Sequence, residues 1–216
     1  MSGSLFSEEL VASAAPFWHD ATTHRFTREL ADDSLADDVW RAYLIQDYAF
    51  VEALTGLVGF AVGRAPTMVE KTRYAGFLSV LTGAEDAFFK RAFAAAGVPP
   101  AEWSGAAHSA VTHDFQALFA EAAAGTYADI LAVFLPVEWV YLTWATAQAG
   151  AAPRTAYREW IDLHTEDGFR DFVMFMKSEL DRIGPLLDDK ARQRVQRLFR
   201  RACELEVGFF DHCYRR

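Results

Sequence analysis

Apolar residues recur at helical spacing from one end of this chain to the other, and nowhere do they alternate as a strand requires. Glycine and proline punctuate the pattern at Pro16, Ala65-Pro66, Gly97-Val-Pro-Pro100, Gly125, Gly150-Ala-Ala-Pro153 and Gly184-Pro185. Between these stops the spacing predicts helices from Ser7 to Trp18 (bent or broken at Pro16), His24 to Ala31, Asp37 to Arg64, Thr67 to Ala96, and Ala106 to Ala124. Further helices are predicted from Thr126 to Ala147, Arg154 to Leu163, Glu166 to Ile183, and Asp188 to Tyr214. Pro136 falls inside the Thr126 helix and is expected to kink or break it. The chain therefore reads as one all-α domain over residues 1–216, a multi-helix bundle of about eight to ten helices with short connections.

Charge and cysteine usage narrow the function classes. The net charge of −9 repels phosphate, so no nucleic acid is expected as a partner. The Arg-rich run from Lys190 to Arg201 reads at helical spacing as a solvated face. Cys203 and Cys213 share a helix about 15 Å apart by helical rise, too far for a mutual disulfide. Reduced cysteines, no signal peptide and no apolar run of membrane-spanning length give a cytoplasmic expectation with no membrane partner.

Three carboxylates stand on faces that helices normally bury. Asp47 sits between Tyr43 and Leu44 one turn before it and Phe50 and Val51 one turn after it. Glu206 is flanked by Ala202, Cys203, Phe209 and Phe210, and Glu138 by Phe134, Leu135, Tyr141 and Leu142. A buried acid needs a hydrogen-bond partner, a counter-charge or a chemical role. Acids sharing one desolvated site have raised pKa values that are pushed apart, as general acid/base work requires. A lone carboxylate on such a face is otherwise explained by a bond to a Tyr, a Trp or a helix end.

Metal-ligand spacing is missing: there is no His-x-x-x-His, Glu-x-x-His or Cys-x-x-Cys. Glu85-Asp-Ala-Phe88 has Phe where a di-iron bundle needs His, and Glu85, Asp86 and Lys90 read as the polar side of their helix.

In order along the chain stand Tyr43-Leu-Ile-Gln-Asp-Tyr48, Arg64-Ala-Pro66, Tyr127-Ala-Asp-Ile-Leu-Ala-Val-Phe-Leu-Pro-Val-Glu-Trp-Val-Tyr141, Tyr157-Arg-Glu-Trp-Ile161 and Glu206-Val-Gly-Phe-Phe-Asp-His-Cys-Tyr214. Together they resemble the TenA (thiaminase II) family over essentially the whole chain. The resemblance implies a heme-oxygenase-like α-bundle, usually a homotetramer, that uses neither heme nor metal and hydrolyses an aminopyrimidine derived from degraded thiamine, or thiamine itself. It implies that Asp47 hydrogen-bonds the pyrimidine ring nitrogen and amino group. Glu206 would then protonate the leaving amine, and Tyr141 would stand near the nucleophile.

The chain departs from the family's commonest form at several of these positions. Val137 stands where the nucleophilic Cys follows the Pro, Phe50 where a pocket tyrosine is usual, and His164 near another usual tyrosine. A further pocket tyrosine is expected where Val111-Thr-His-Asp114 stands. Without a thiolate, Glu138 would activate water beside Glu206 and Asp47, provided that a break at Pro136 re-aims it across the roughly 100° that separates it from position 137. The reading is an aminopyrimidine hydrolase with no cofactor and a small-molecule pyrimidine as partner. Phe50, Val137, Tyr141 and His164 would line its pocket. Two alternatives stand beside it: a heterocycle-binding protein that has lost the chemistry, and a metal-dependent oxygenase on the same bundle.

Overall fold

The computed structural model describes residues 4–151 and 153–215, so Ala152 in the Gly150–Pro153 loop lies outside the described residues. Among the described residues there are twelve α-helices and no strand, more helices than the eight to ten expected. They are α1 (Phe6–Ala14), α2 (Phe17–Thr22), α3 (Arg25–Ala31), α4 (Asp37–Arg64), α5 (Met68–Val80), α6 (Asp86–Ala96), α7 (Pro100–Trp103), α8 (Ala110–Ala124), α9 (Tyr127–Ala147), α10 (Thr155–Leu163), α11 (Asp167–Ile183) and α12 (Asp189–His212). The surplus comes from three places. Pro16, which follows a cis peptide bond, separates α1 from α2. A π-turn over Leu81–Glu85 splits the expected Thr67–Ala96 helix into α5 and α6. Residues 100–103, read as the approach to a connector, close a short helix whose first residue is proline.

α9 is the core of the bundle. It packs against α12, α11, α8, α4 and α2, and the interior face of its sequence is almost all large and apolar, from Ile130 through Leu135 to Trp144. Contrary to the sequence reading, both α4 and α9 are long and apolar enough to cross a bilayer. Here 78% of that window of α9 is buried inside the protein, so the apolar run serves the core. Pro136 does not break α9, which runs unbroken from Tyr127 to Ala147.

The ends of the helices are fixed by polar groups from elsewhere in the fold. Thr126 and Asp129 form a capping box at the start of α9, and Asp129 also receives Arg194 of α12 at 3.1 Å. Ser7 lies within the first turn of α1 and does not cap it. Its backbone N–H donates to Asp181 of α11 at 2.7 Å, and so does its hydroxyl at 3.2 Å. A side chain on Gly184 would collide with the Phe6 ring, which packs directly on that backbone. The Arg-rich run of α12 is not merely solvated. Arg192 pairs with Glu9 of α1 and Arg201 with Asp114 of α8, both at 2.9 Å. Such partly exposed pairs are each worth little, about 0–1 kcal/mol.

Gln46 and Asp47, adjacent on α4, face different parts of the fold because successive helical residues are rotated by about 100°. Gln46 ties α4 to the segment that starts α8. Its Nε2 donates to the Ala107 carbonyl at 3.1 Å, and its Oε1 accepts from the Ser109 N–H and the Thr112 hydroxyl, each at 2.8 Å. Gln46→Leu strands these partners in a buried position, which costs about 1–3 kcal/mol. The variant is expected to melt several degrees below the parent protein in thermal denaturation, and an unchanged Tm would show that the clamp is not structural.

Candidate functional site

Asp47 is 2% exposed, and its Oδ2 has no hydrogen-bond partner. It lines a narrow cavity of about 20 Å³ with Phe50, Val51 and Leu54 of α4, Val137, Glu138 and Tyr141 of α9, Trp160 and His164 of the α10 region, and Glu85 of the π-turn. That volume holds about one water. A larger chamber of about 400 Å³ adjoins it, walled by α5, the π-turn and the start of α11. Glu85 and His164 line both spaces.

The helical geometry explains the inner wall. Val137, Glu138 and Tyr141 are one and three to four residues apart on an unbroken helix, so one face of α9 presents all three. No break at Pro136 is needed to bring Glu138 to the cavity, which corrects that expectation. Phe50 packs edge-on against Phe115 and Phe119 of α8, with ring centroids at 4.8 and 5.3 Å. The residues Val111-Thr-His-Asp114, where a pocket tyrosine was expected, do not reach the cavity, and Phe115 just beyond them backs Phe50 instead.

Glu85 is the residue that the sequence reading missed. It was assigned to the polar side with Asp86 and Lys90, but the π-turn puts it on the cavity wall, while Asp86 faces away, receiving the Tyr48 hydroxyl at 2.9 Å and pairing with Lys90. A signal was present: Phe77, Leu81, Glu85 and Phe89 fall at intervals of four, so Glu85 continues the apolar stripe. π-turns of this kind frequently mark functional positions.

Glu206 is 1% exposed, with an unpartnered Oε1, but it does not line the cavity itself. It acts on the wall through its charge, which adds to the shift of Glu138. Its own carboxyl is held well above the usual range by burial first and by Asp47 second. Burial likewise pushes Asp47 up to about 7, against the pull of the Tyr43 hydroxyl one turn away. Glu85 rises to about 8 through burial and the charge of Asp47. Glu138 is raised well above the usual range by burial, then by Glu85, Glu206 and Asp47 in that order. Four carboxyl groups on four elements therefore lie within electrostatic reach of one another.

The groups around these acids are hydrogen-bonded to one another. Trp160 Nε1–H donates to the Tyr43 hydroxyl at 3.1 Å, and the hydroxyls of Tyr43 and Tyr141 are 2.9 Å apart. His164 Nδ1 lies 2.8 Å from the Trp160 carbonyl oxygen. A carbonyl only accepts, so Nδ1 carries the proton and Nε2 is left as an acceptor. Burial lowers the His164 pKa to about 4, so the ring is neutral at ordinary pH. Val137 places an apolar wall, 2% exposed, at the position of the expected nucleophile. Both cysteines are buried and free, and burial raises the pKa of each thiol. Among the described residues no three His, Cys, Asp or Glu side chains are grouped so as to hold a metal ion.

The relatives of this chain agree with one another. The aminopyrimidine aminohydrolase of Halalkalibacterium halodurans is 22% identical over 213 residues, which are 97% of this chain and 95% of that protein. The aminopyrimidine aminohydrolase of Bacillus subtilis is 24% identical over 217 residues, covering 98% of this chain and 90% of that one. Among solved structures, a TenA homologue from Pyrococcus furiosus superposes with a TM-score of 0.88 at 18% identity, covering 97% of this chain and all of the other. A TenA family protein from Silicibacter, described as a transcription regulator, gives 0.86 at 24% identity over 96% of each chain. These likenesses establish the all-α, heme-oxygenase-like bundle. The model of the TENA/THI-4/PQQC family matches residues 11–216, and the chain belongs to that family.

Proposed function

We propose that this protein hydrolyses the C–N bond of an amino- or formylamino-methylpyrimidine in thiamine salvage, using carboxyl groups where the common form of the family uses a thiolate. One observation carries the reading. Asp47, Glu85 and Glu138 meet at a single cavity, and burial raises the pKa values of these acids and of Glu206, as general acid/base work requires. Asp47 would hold the ring nitrogen and exocyclic amino group, with Tyr43 and Tyr141 fixing its surroundings. Glu138 would take a proton from water as the oxygen attacks the carbon that bears the amine. As the C–N bond breaks, Glu206 would give its proton to the departing nitrogen. Phe50, Val137 and His164 would bound the ring.

Glu85 lines both the inner cavity and the outer chamber, and in this reading it shares the water-activating role with Glu138. A catalytically silent, heterocycle-binding protein is the second reading, and the apolar Val137 on the cavity wall favours it. The oxygenase alternative lacks a metal-ligand group among the described residues.

The site is expected to work in the cytoplasm within a homotetramer, the assembly implied by the sequence resemblance. Gly56, Gly59, Phe60 and Gly63 share one face of α4. The three glycines have open space where a side chain would begin, Phe60 is 52% exposed, and Met68 and Val69 nearby are more than 70% exposed. A second copy would cover this strip, and light scattering that reports a monomer at micromolar concentration would reject the assembly.

Incubation with aminomethylpyrimidine and with its formyl derivative is expected to yield the hydroxymethyl product. No turnover of either by folded protein would overturn the hydrolase reading. Glu138→Gln and Glu206→Gln are each expected to lower kcat by about 10²- to 10⁴-fold, and Asp47→Asn to raise KM by about tenfold or more.

Stability should move in the opposite direction. The folded pKa of Asp47, about 7, lies above its usual value of 3.8. Between these values the native state keeps a proton that the unfolded chain releases, so Asp47 lowers stability as pH rises, and the loss is complete above the folded value. Asp47→Asn is therefore expected to raise Tm at about pH 8 and to leave it nearly unchanged at about pH 4. A lower Tm at both would mean that Asp47 is structural.

A further inference from the structure

Beyond the proposed hydrolysis, we propose that the outer chamber is a binding site of its own, for a flat, uncharged aromatic molecule that donates one hydrogen bond. Phenols and indoles are the ligand class that fits.

The chamber is separate from the reacting groups. Asp47, Val137, Glu138 and Tyr141 line the inner cavity, and none of them lines the chamber. The inner cavity, at about 20 Å³, has room for about one water. The chamber, at about 400 Å³, lies in the range of small-molecule pockets, about 300–1,000 Å³. An apolar void of about 150 Å³ already takes up a molecule of the size of benzene. An occupant of the chamber touches Glu85 and His164, which line both spaces, and so sits beside the inner cavity without entering it.

The room is kept open by glycine. Gly76, in the middle of α5, and Gly168, in the first turn of α11, both line the chamber, and there is open space where a side chain would begin on either. Glycine weakens a helix, so helix formation does not account for it at these two places. The walls suit an aromatic ring. Phe77 and Phe172 stack with centroids 4.1 Å apart and planes within 7°, and Phe169 stands edge-on to the His164 ring at 5.0 Å. A further ring can join this cluster in the offset or edge-to-face arrangements that aromatic pairs prefer.

One buried polar group in the chamber wall calls for a donor. His164 is 6% exposed and lines the chamber. Its Nδ1–H donates to the Trp160 carbonyl, which leaves Nε2 as an acceptor with no hydrogen-bond partner among the described residues. A buried acceptor left unpaired is costly. A phenol O–H or an indole N–H supplies one donor, and the rest of the molecule is apolar.

The charges favour a neutral ligand. Arg73 and Glu166 are exposed residues of the lining, one of each sign. Arg73 is also engaged elsewhere, donating to the Asp171 carbonyl at 3.0 Å and lying over the Phe175 ring. Of the inner groups, His164 has its pKa lowered by burial to about 4, and Glu85 has its own raised by burial to about 8. At neutral pH both are therefore mainly uncharged, and an ionic ligand would give up its water without gaining a counter-charge.

Isothermal titration calorimetry with indole and phenol at neutral pH tests this. Both are expected to bind at a single site per chain with a submillimolar Kd. 1-Methylindole, which lacks the donor, is expected to bind about tenfold more weakly than indole, and indole-3-acetate and tryptamine no more tightly than indole. Gly76→Leu and Gly168→Leu each place a side chain in the chamber and should weaken indole about tenfold or more. Leucine is a better helix former than glycine, so both variants are expected to fold. His164→Phe should abolish the difference between indole and 1-methylindole. Saturating aminomethylpyrimidine should leave indole binding in place, because the two spaces are distinct. No heat with indole or phenol, equal affinity for indole and 1-methylindole, indole binding untouched by both leucine variants, or full displacement by aminomethylpyrimidine would each overturn the proposal. If the amine itself does not bind, the hydrolase reading falls, and the indole titrations decide alone for the chamber.

Discussion

Everything distinctive about this molecule follows from burying carboxyl groups without giving them cations. A helical bundle can hold such groups in either of two ways. Asp129 and Glu179 show the first: they are nearly buried, but Arg194 and Arg182 reach them from the surface at 3.1 and 2.6 Å. Asp47, Glu138 and Glu206 show the second. Among the described residues no Arg or Lys forms an ion pair with them, two of the three retain an oxygen without any partner, and all three hold their protons more tightly than an exposed acid does. A protein that needed only stability would do better with amides or apolar side chains there.

The scaffold supplies rigidity so that this arrangement persists. α4 is the frame: Gln46 fastens it to the start of α8, Tyr43 links it through hydroxyl and indole to α9 and α10, and Asp47 stands next to Gln46 and one turn from Tyr43. The wall opposite is α9, whose apolar packing leaves it little freedom to shift. The side towards the outer chamber is built differently. Glu85 comes from a π-turn and His164 from the C-terminal end of α10, so the two residues common to both spaces sit on irregular backbone while the inner walls are regular helix.

The fold was legible because helical periodicity and proline or glycine stops are local properties, and α4 runs between the residues that its pattern specifies. The short helices and the π-turn were not legible. Whether a run of thirty helical residues such as 67–96 carries an extra residue in one turn depends on what the neighbouring helices leave room for. Pro136 misled for a related reason: it removes one hydrogen bond, and the packing of α9 on its neighbours outweighs that loss.

The sequence by itself determined that Asp47, Glu138 and Glu206 would be buried, since each stands in an apolar helical stripe and burial follows from the stripe. It also determined the family frame in which they stand. Only the tertiary structure decided that Asp47 and Glu138 line one cavity, that Glu206 acts from outside it, and that Glu85 joins them. Those are distances between helices far apart in the chain, and no periodicity along one helix encodes which face of another will meet it.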